Sequence, residues 1–199
     1  MEAKTHTYIE TYISKKKRGE IIFPTDFRGK GTQSAIKKAM SRLAKNGRIK
    51  RLAHGIYYIP KIDPKLGELR PDADEVVRML ALKEHIRVRP AGAYALHRLG
   101  LTSQVPTKRV YITDGNSRKF RLGNMQVRFK STTPKKLATK GKISSLIIQA
   151  IEEIGIDHIS PDLEAKLMQF LIKEDSRTLK HDLVLASAKV NDYIVGLLR

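Results

Sequence analysis

The sequence contains no cysteine and no tryptophan, and aromatic residues make up only 6% of its 199 positions. Without cysteine there is no disulfide framework, no thiolate metal site and no thiol nucleophile. So few aromatics leave little for a base-stacking platform of the kind that binds single-stranded nucleic acid. Acidic residues are scarce as well, 20 against 39 Lys and Arg, a formal charge of +19. No apolar run approaches the roughly 18–20 residues of a membrane helix, and the first ten positions lack the apolar core of a signal peptide. These absences predict a cytoplasmic protein without membrane association. Such a charge speaks of partners rather than of fold: nucleic acid, an anionic membrane surface or an acidic protein.

What is present is unevenly spread. Residues 1–70 carry a net charge of +11, residues 71–140 carry +10, and residues 141–199 carry −2. The excess therefore belongs to the first two thirds, and the last third is an ordinary near-neutral segment. A uniform solvating coat would not divide in this way.

The first 60 residues follow a recognisable order. Tyr8, Ile9, Tyr12 and Ile13 stand at helical spacing over 5–16, before a Lys15–Arg18 run and Gly19. Ile21-Ile22-Phe23 reads as a short strand stopped by Pro24, and Thr25-Asp26-Phe27 as a helical turn. A longer helix is expected from Thr32 to Asn46, with Thr32 as N-cap and Gly47 past its end. Residues 48–60 read as a hairpin turning at His54-Gly55. Helix, strand, short helix, long helix and hairpin is the element order of a winged helix-turn-helix, whose third helix enters the major groove while the wing lies along the backbone.

On that third helix Ile36, Ala39, Met40 and Leu43 form one apolar stripe. Ser34, Lys38, Ser41 and Lys45 lie opposite, flanked by Lys37 and Arg42, with Gln33 nearer the edge. These are donors suited to base edges and phosphates. The wing adds Arg48, Lys50, Arg51 and His54. Alternation sends at least one of Tyr57 and Tyr58 into the core.

Residues 63–71 read as a linker. Beyond it the pattern predicts helices near 72–85 and 90–99, a strand at 109–113, a second hairpin over 118–131 around Gly123-Asn124, and helices at 143–154, 161–173, 176–187 and 189–198. The expected fold is α+β: a winged helix-turn-helix over 1–62, then a basic mixed α/β domain over 72–199 with a helical C-terminal end from about 141. The histidines His6, His54, His85, His97, His158 and His181 have no metal-ligand spacing, and no phosphate loop, nucleophile elbow or dinucleotide fingerprint occurs. Asp114 follows a strand, but Gln126-Val127-Arg128 lacks the second carboxylate of a nuclease core. The residues point to no catalytic site, no metal and no cofactor.

The stretch Ile22–Pro60 resembles the N-terminal winged helix of AbiEi-type antitoxins and related transcriptional regulators. The shared features are Phe23-Pro24-x-Asp26-Phe27, Ala39-x-Ser41-Arg42-Leu43 and Arg51-Leu52-Ala53-x-Gly55-Ile56-Tyr57-Tyr58. Pro90-x-Gly92-Ala93-Tyr94-Ala95-Leu96, Leu99-Gly100-Leu101, Gln104-Val105-Pro106 and Tyr111-x-Thr113-Asp114-Gly115 are similar to the second domain of those proteins. The resemblance implies a DNA-binding antitoxin that represses its own operon, paired in a type IV system with a nucleotidyltransferase-like toxin it need not touch. The DNA partner would be an inverted-repeat operator bound by two copies, dimerised in solution or only on DNA. The residues leave open two other classes: a ligand-sensing winged-helix regulator without a toxin, and a nucleic-acid-processing accessory protein.

Overall fold

A computed structural model describes residues 2–199 and shows an α+β chain. The described residues divide into two compact units, one running up to residue 80 with 120–123 and the other 81–119 with 124–199. No helix among the described residues is long and apolar enough to cross a membrane.

In the first unit, α1 (Glu2–Ser14) buries Ile9 and Ile13 and sets Tyr12 edge-on to Phe27, ring centroids 5.2 Å apart. The Lys15–Arg18 run lies just past the helix end. β1 (Ile21–Ile22) leads into a 3-10 turn at Pro24–Phe27, closed where the Phe23 amide donates to Asp26 over 2.8 Å. α2 (Gln33–Lys45) starts at Thr32, whose hydroxyl accepts from the Ala35 amide. β2 (Lys50–Ala53) and β3 (Ile56–Tyr58) form the expected hairpin, and β1 adds to β3 to give the order β1-β3-β2. Ile9, Ile22, Phe27, Met40, Leu43 and Ile49 are the heart of the core between them. Each such side chain, fully withdrawn from water, contributes about 1.5–3 kcal/mol before conformational entropy is charged against it.

The stretch read as a linker is ordered as a second, two-stranded hairpin, β4 (Lys61–Asp63) and β5 (Gly67–Leu69). Asp63 holds its turn by accepting from the Lys65 and Leu66 amides. α3 (Ala73–Glu84) follows, and Val76 and Leu80 join Ile21, Phe23 and Ile56 in a second buried cluster.

In the second unit, Pro90 does not open a helix but sits inside β6 (Val88–Ala91), paired with Tyr111. β6 is an edge strand, where a missing N–H need not break a ladder. Gly92 then takes φ 62, ψ −150, which glycine reaches without steric cost, and α4 (Ala93–Arg98) starts there. β7 (Lys108–Thr113), β8 (Arg118–Leu122) and β9 (Met125–Ser131) complete a sheet of order β6-β7-β9-β8, with β7 and β9 parallel. After the short α5 (Pro134–Leu137) come α6 (Lys142–Ile154), α7 (Pro161–Leu171), α8 (Ser176–Leu185) and α9 (Ala188–Leu197). Ile147, Ile151, Leu167, Leu171, Leu183 and Ile194 close their common core.

Candidate nucleic-acid interface

One side of α2 is wholly committed to the core. Ala35, Ile36, Ala39, Met40 and Leu43 are buried, which adds Ala35 to the stripe read from the sequence. Ala44 is half-buried against the same core, and the other positions project outward: Gln33, Ser34, Lys37, Lys38, Ser41, Arg42 and Lys45 are all exposed. The helix ends at Asn46, and Gly47 (φ 70) reverses the chain so that the Arg48 amide donates back to the Leu43 carbonyl. Arg48, Lys50, Arg51 and His54 are likewise exposed, so the eleven positions picked from the sequence share one property, access to solvent.

Their engagement differs. Arg48 lies 3.9 Å from Glu10 with two thirds of its side chain exposed, a pair worth a few tenths of a kcal/mol at most. It stays available to another anion. Arg51 folds along the hairpin turn, donating from Nε to the Ala53 carbonyl at 3.3 Å, with one terminal nitrogen 3.1 Å from His54 Nδ1. The ladder is irregular between Arg51 and Ala53, a local bulge that re-aims side chains at the hairpin tip.

Lys50 is the exception. Its Nζ donates to Glu68 Oε2 at 2.6 Å, while the Tyr58 hydroxyl donates to Oε1 of the same carboxylate, also at 2.6 Å. The Lys50 ammonium first, then the Tyr58 hydroxyl, hold Glu68 below the usual carboxylate range. Burial, reinforced by Glu68, pushes the Tyr58 phenol up to about 12. Sequence reasoning missed Glu68, because it belongs to the hairpin that was read as linker. Tyr58 is buried and Tyr57 is half-buried against the core, so both rings serve packing.

Among the described residues no three His, Asp or Glu side chains gather as a metal-binding group. Asp114, weighed against a nuclease core, is clamped by Arg87, which donates from its backbone amide at 2.7 Å and from Nε at 2.8 Å. The Arg87 guanidinium holds that carboxyl below its ordinary range.

The model of one protein family, described as a family of unknown function (DUF6088), matches residues 8–179. No curated protein matches the chain.

Proposed function

The chain belongs to the DUF6088 family, whose function is unknown, and from that premise we propose that it is a sequence-specific double-stranded DNA-binding protein whose first unit works as a winged helix-turn-helix. The observation that carries this reading is the division of α2 into a fully buried apolar stripe and an opposite face on which every side chain is a hydrogen-bond donor or a cation in solvent. The element order α1, β1, 3-10 turn, α2, hairpin, with the strands in the order β1-β3-β2, supports it.

In this reading α2 lies in the major groove. Gln33, Ser34 and Ser41 offer short neutral donors and acceptors to base edges, and Arg42 a bidentate fork for guanine. Lys37, Lys38 and Lys45 take phosphates beside the groove. Arg48, Lys50, Arg51 and His54 follow the backbone next to it, where they fix register without reading sequence. Two copies on an inverted repeat would place their helices about one duplex turn apart. The resemblance to AbiEi-type antitoxins makes autorepression, and opposition to a nucleotidyltransferase-like toxin from the same operon, the physiological setting we propose; co-expression with the adjacent reading frame tests it by rescue of growth.

The DNA-binding claim is tested with the full chain by selection from a random duplex library, followed by affinity measurement at several salt concentrations. Enrichment of one motif is expected, with affinity falling about 10³–10⁵-fold between 50 and 200 mM salt if six to ten phosphates are neutralised. No enrichment, or a salt-insensitive complex, would overturn it.

A further inference from the structure

The middle third carries a net charge of +10 that the first unit's DNA face does not absorb. The register of β7 and β9 shows where part of it goes. Side chains paired across these parallel strands share a face. Arg109↔Val127 and Tyr111↔Phe129 therefore lie on one side, and Lys108↔Gln126, Val110↔Arg128 and Ile112↔Lys130 on the other.

The first side is core. Tyr94 packs tilted against Tyr111 and Tyr111 edge-on to Phe129, with ring centroids 5.4 and 6.1 Å apart, and Arg109 lies over Tyr94 and Arg118 over Phe129. The second side presents Lys108, Arg128 and Lys130, all exposed. Neighbouring cations in the unit are already spoken for. Arg87 is held by Asp114, Arg118 by Glu84, Lys136 by Glu152, and Arg89 donates to the Thr139 carbonyl at 2.6 Å. Lys108, Lys119, Arg128 and Lys130 take part in no such pair among the described residues.

Arg128 and Lys130 are two positions apart on one strand, about 6.6 Å along it. Lys108 stands diagonally across on the next, at about 7–8 Å. Like charges so placed repel, and none of the three takes part in an ion pair among the described residues. Lys108, Lys119, Gln126 and Arg128 line a depression of about 350 Å³ that contains no carboxylate. A groove of about 540 Å³ shares Lys108 and Arg128 with it and is lined further by Lys130, Lys136, Glu152 and Glu153, Lys136 being paired with Glu152.

We propose that this sheet face is a second nucleic-acid surface, which grips the phosphodiester backbone without reading bases. A single small anion would reach two of these cations at most; a polymer with regularly repeated charge reaches all of them. Lys108, Val110, Ile112, Gln126, Arg128 and Lys130 include no aromatic ring to stack on a base, and the burial of Ile112 and half-burial of Val110 leave little apolar area to anchor a protein partner. Contact is therefore ionic, with Gln126 as an added amide donor, and sequence-independent. The surface lies wholly in the second unit and does not depend on the role of α2.

The test uses the full chain and the triple variants K108E/R128E/K130E and K108Q/R128Q/K130Q, the latter adding no new charge. Probes are a scrambled DNA duplex, a single-stranded oligodeoxynucleotide, an RNA hairpin and polyglutamate. Affinity for at least one nucleic acid should fall about tenfold or more in both variants, and the salt slope should flatten by about 2–3, close to one per cation removed. The K38E/R42E variant should retain this binding, which separates the two surfaces. The probe that loses most identifies DNA or RNA as the source of the backbone. Unchanged binding of every nucleic acid in both triple variants, with unaltered melting, overturns the proposal. So does polyglutamate competing as well as nucleic acid at equal charge, which would make the partner an acidic protein.

Discussion

Ser144 Oγ donates a 2.6 Å hydrogen bond to Asp182 Oδ2, and both side chains are fully buried. The same carboxylate accepts from the Lys140 and Gly141 amides at 2.8 Å each and meets His181 Nδ1 at 2.8 Å. Glu174 accepts from the Ile143 and Ser144 amides beside it. Two carboxylates from distant sequence thus cap the open amides and positive end of α6, the central helix of the second core. Gly141 leaves the room for them, since a Cβ there would collide with Ser144 Oγ and Glu174 Oε2.

Asp182→Asn should therefore destabilise the second unit by about 2–3 kcal/mol, because whichever oxygen is replaced, the new amide nitrogen faces a backbone amide donor, Lys140 or Gly141, in a buried site. Thermal melting should fall by roughly 5–10 °C. A change under one degree would mean that the cap is not a structural keystone.

The same carboxylate makes the fold acid-sensitive. Burial pushes the Asp182 pKa up, but the Ser144 hydroxyl, His181 and the two amides outweigh it and leave it below the ordinary value. A lowered folded pKa gives stability that is present above about pH 4 and lost as pH falls through the folded value. Denaturation midpoints measured from pH 6 to pH 2 should drop steeply below pH 4, and less steeply in the Asp182→Asn protein.

At the alkaline end, Tyr58 and Tyr193 are both pushed up to about 12, first by burial and then by hydrogen bonds to Glu68 and Glu164. A raised folded pKa gives stability that is complete below about pH 10 and disappears as pH rises through 12. Tyrosinate absorbance of the seven tyrosines should show a late-titrating pair, and Tyr58→Phe should remove one member of it.

Glu68→Gln tests whether the second hairpin restrains the first. It removes the anion that holds Lys50 at 2.6 Å. Duplex affinity at low salt should rise about threefold, as one more cation becomes available to phosphate. Unchanged affinity would place Lys50 outside the contact.

How far such detail can be read from the sequence depends on its range along the chain. α6 was legible because Ile143, Leu146, Ile147, Ala150, Ile151 and Ile154 repeat at helical spacing, and α2 because Thr32 and Gly47 punctuate it. Pro90 misled because a proline at a helix start and one on an edge strand look alike locally; only pairing with Tyr111 separates them. The parallel pairing of β7 with β9 joins segments separated by the whole of β8 and leaves no local trace. One local signal bears on the face: Gln126, Arg128 and Lys130 alternate with Val127 and Phe129, the pattern of a strand with one basic side. The partners of Lys50 and Ser144 lie 18 and 38 residues away, and no short-range signal points to them.

The central claim, that α2 occupies the major groove, is tested most directly by the full-length K38E/R42E variant against the duplex selected by the native chain. The account predicts loss of the sequence preference, with operator affinity falling at least about a hundredfold to that of a scrambled duplex, while circular dichroism and melting stay native because both side chains are exposed. Native operator affinity in a natively folded variant would contradict it and remove this helix from the DNA.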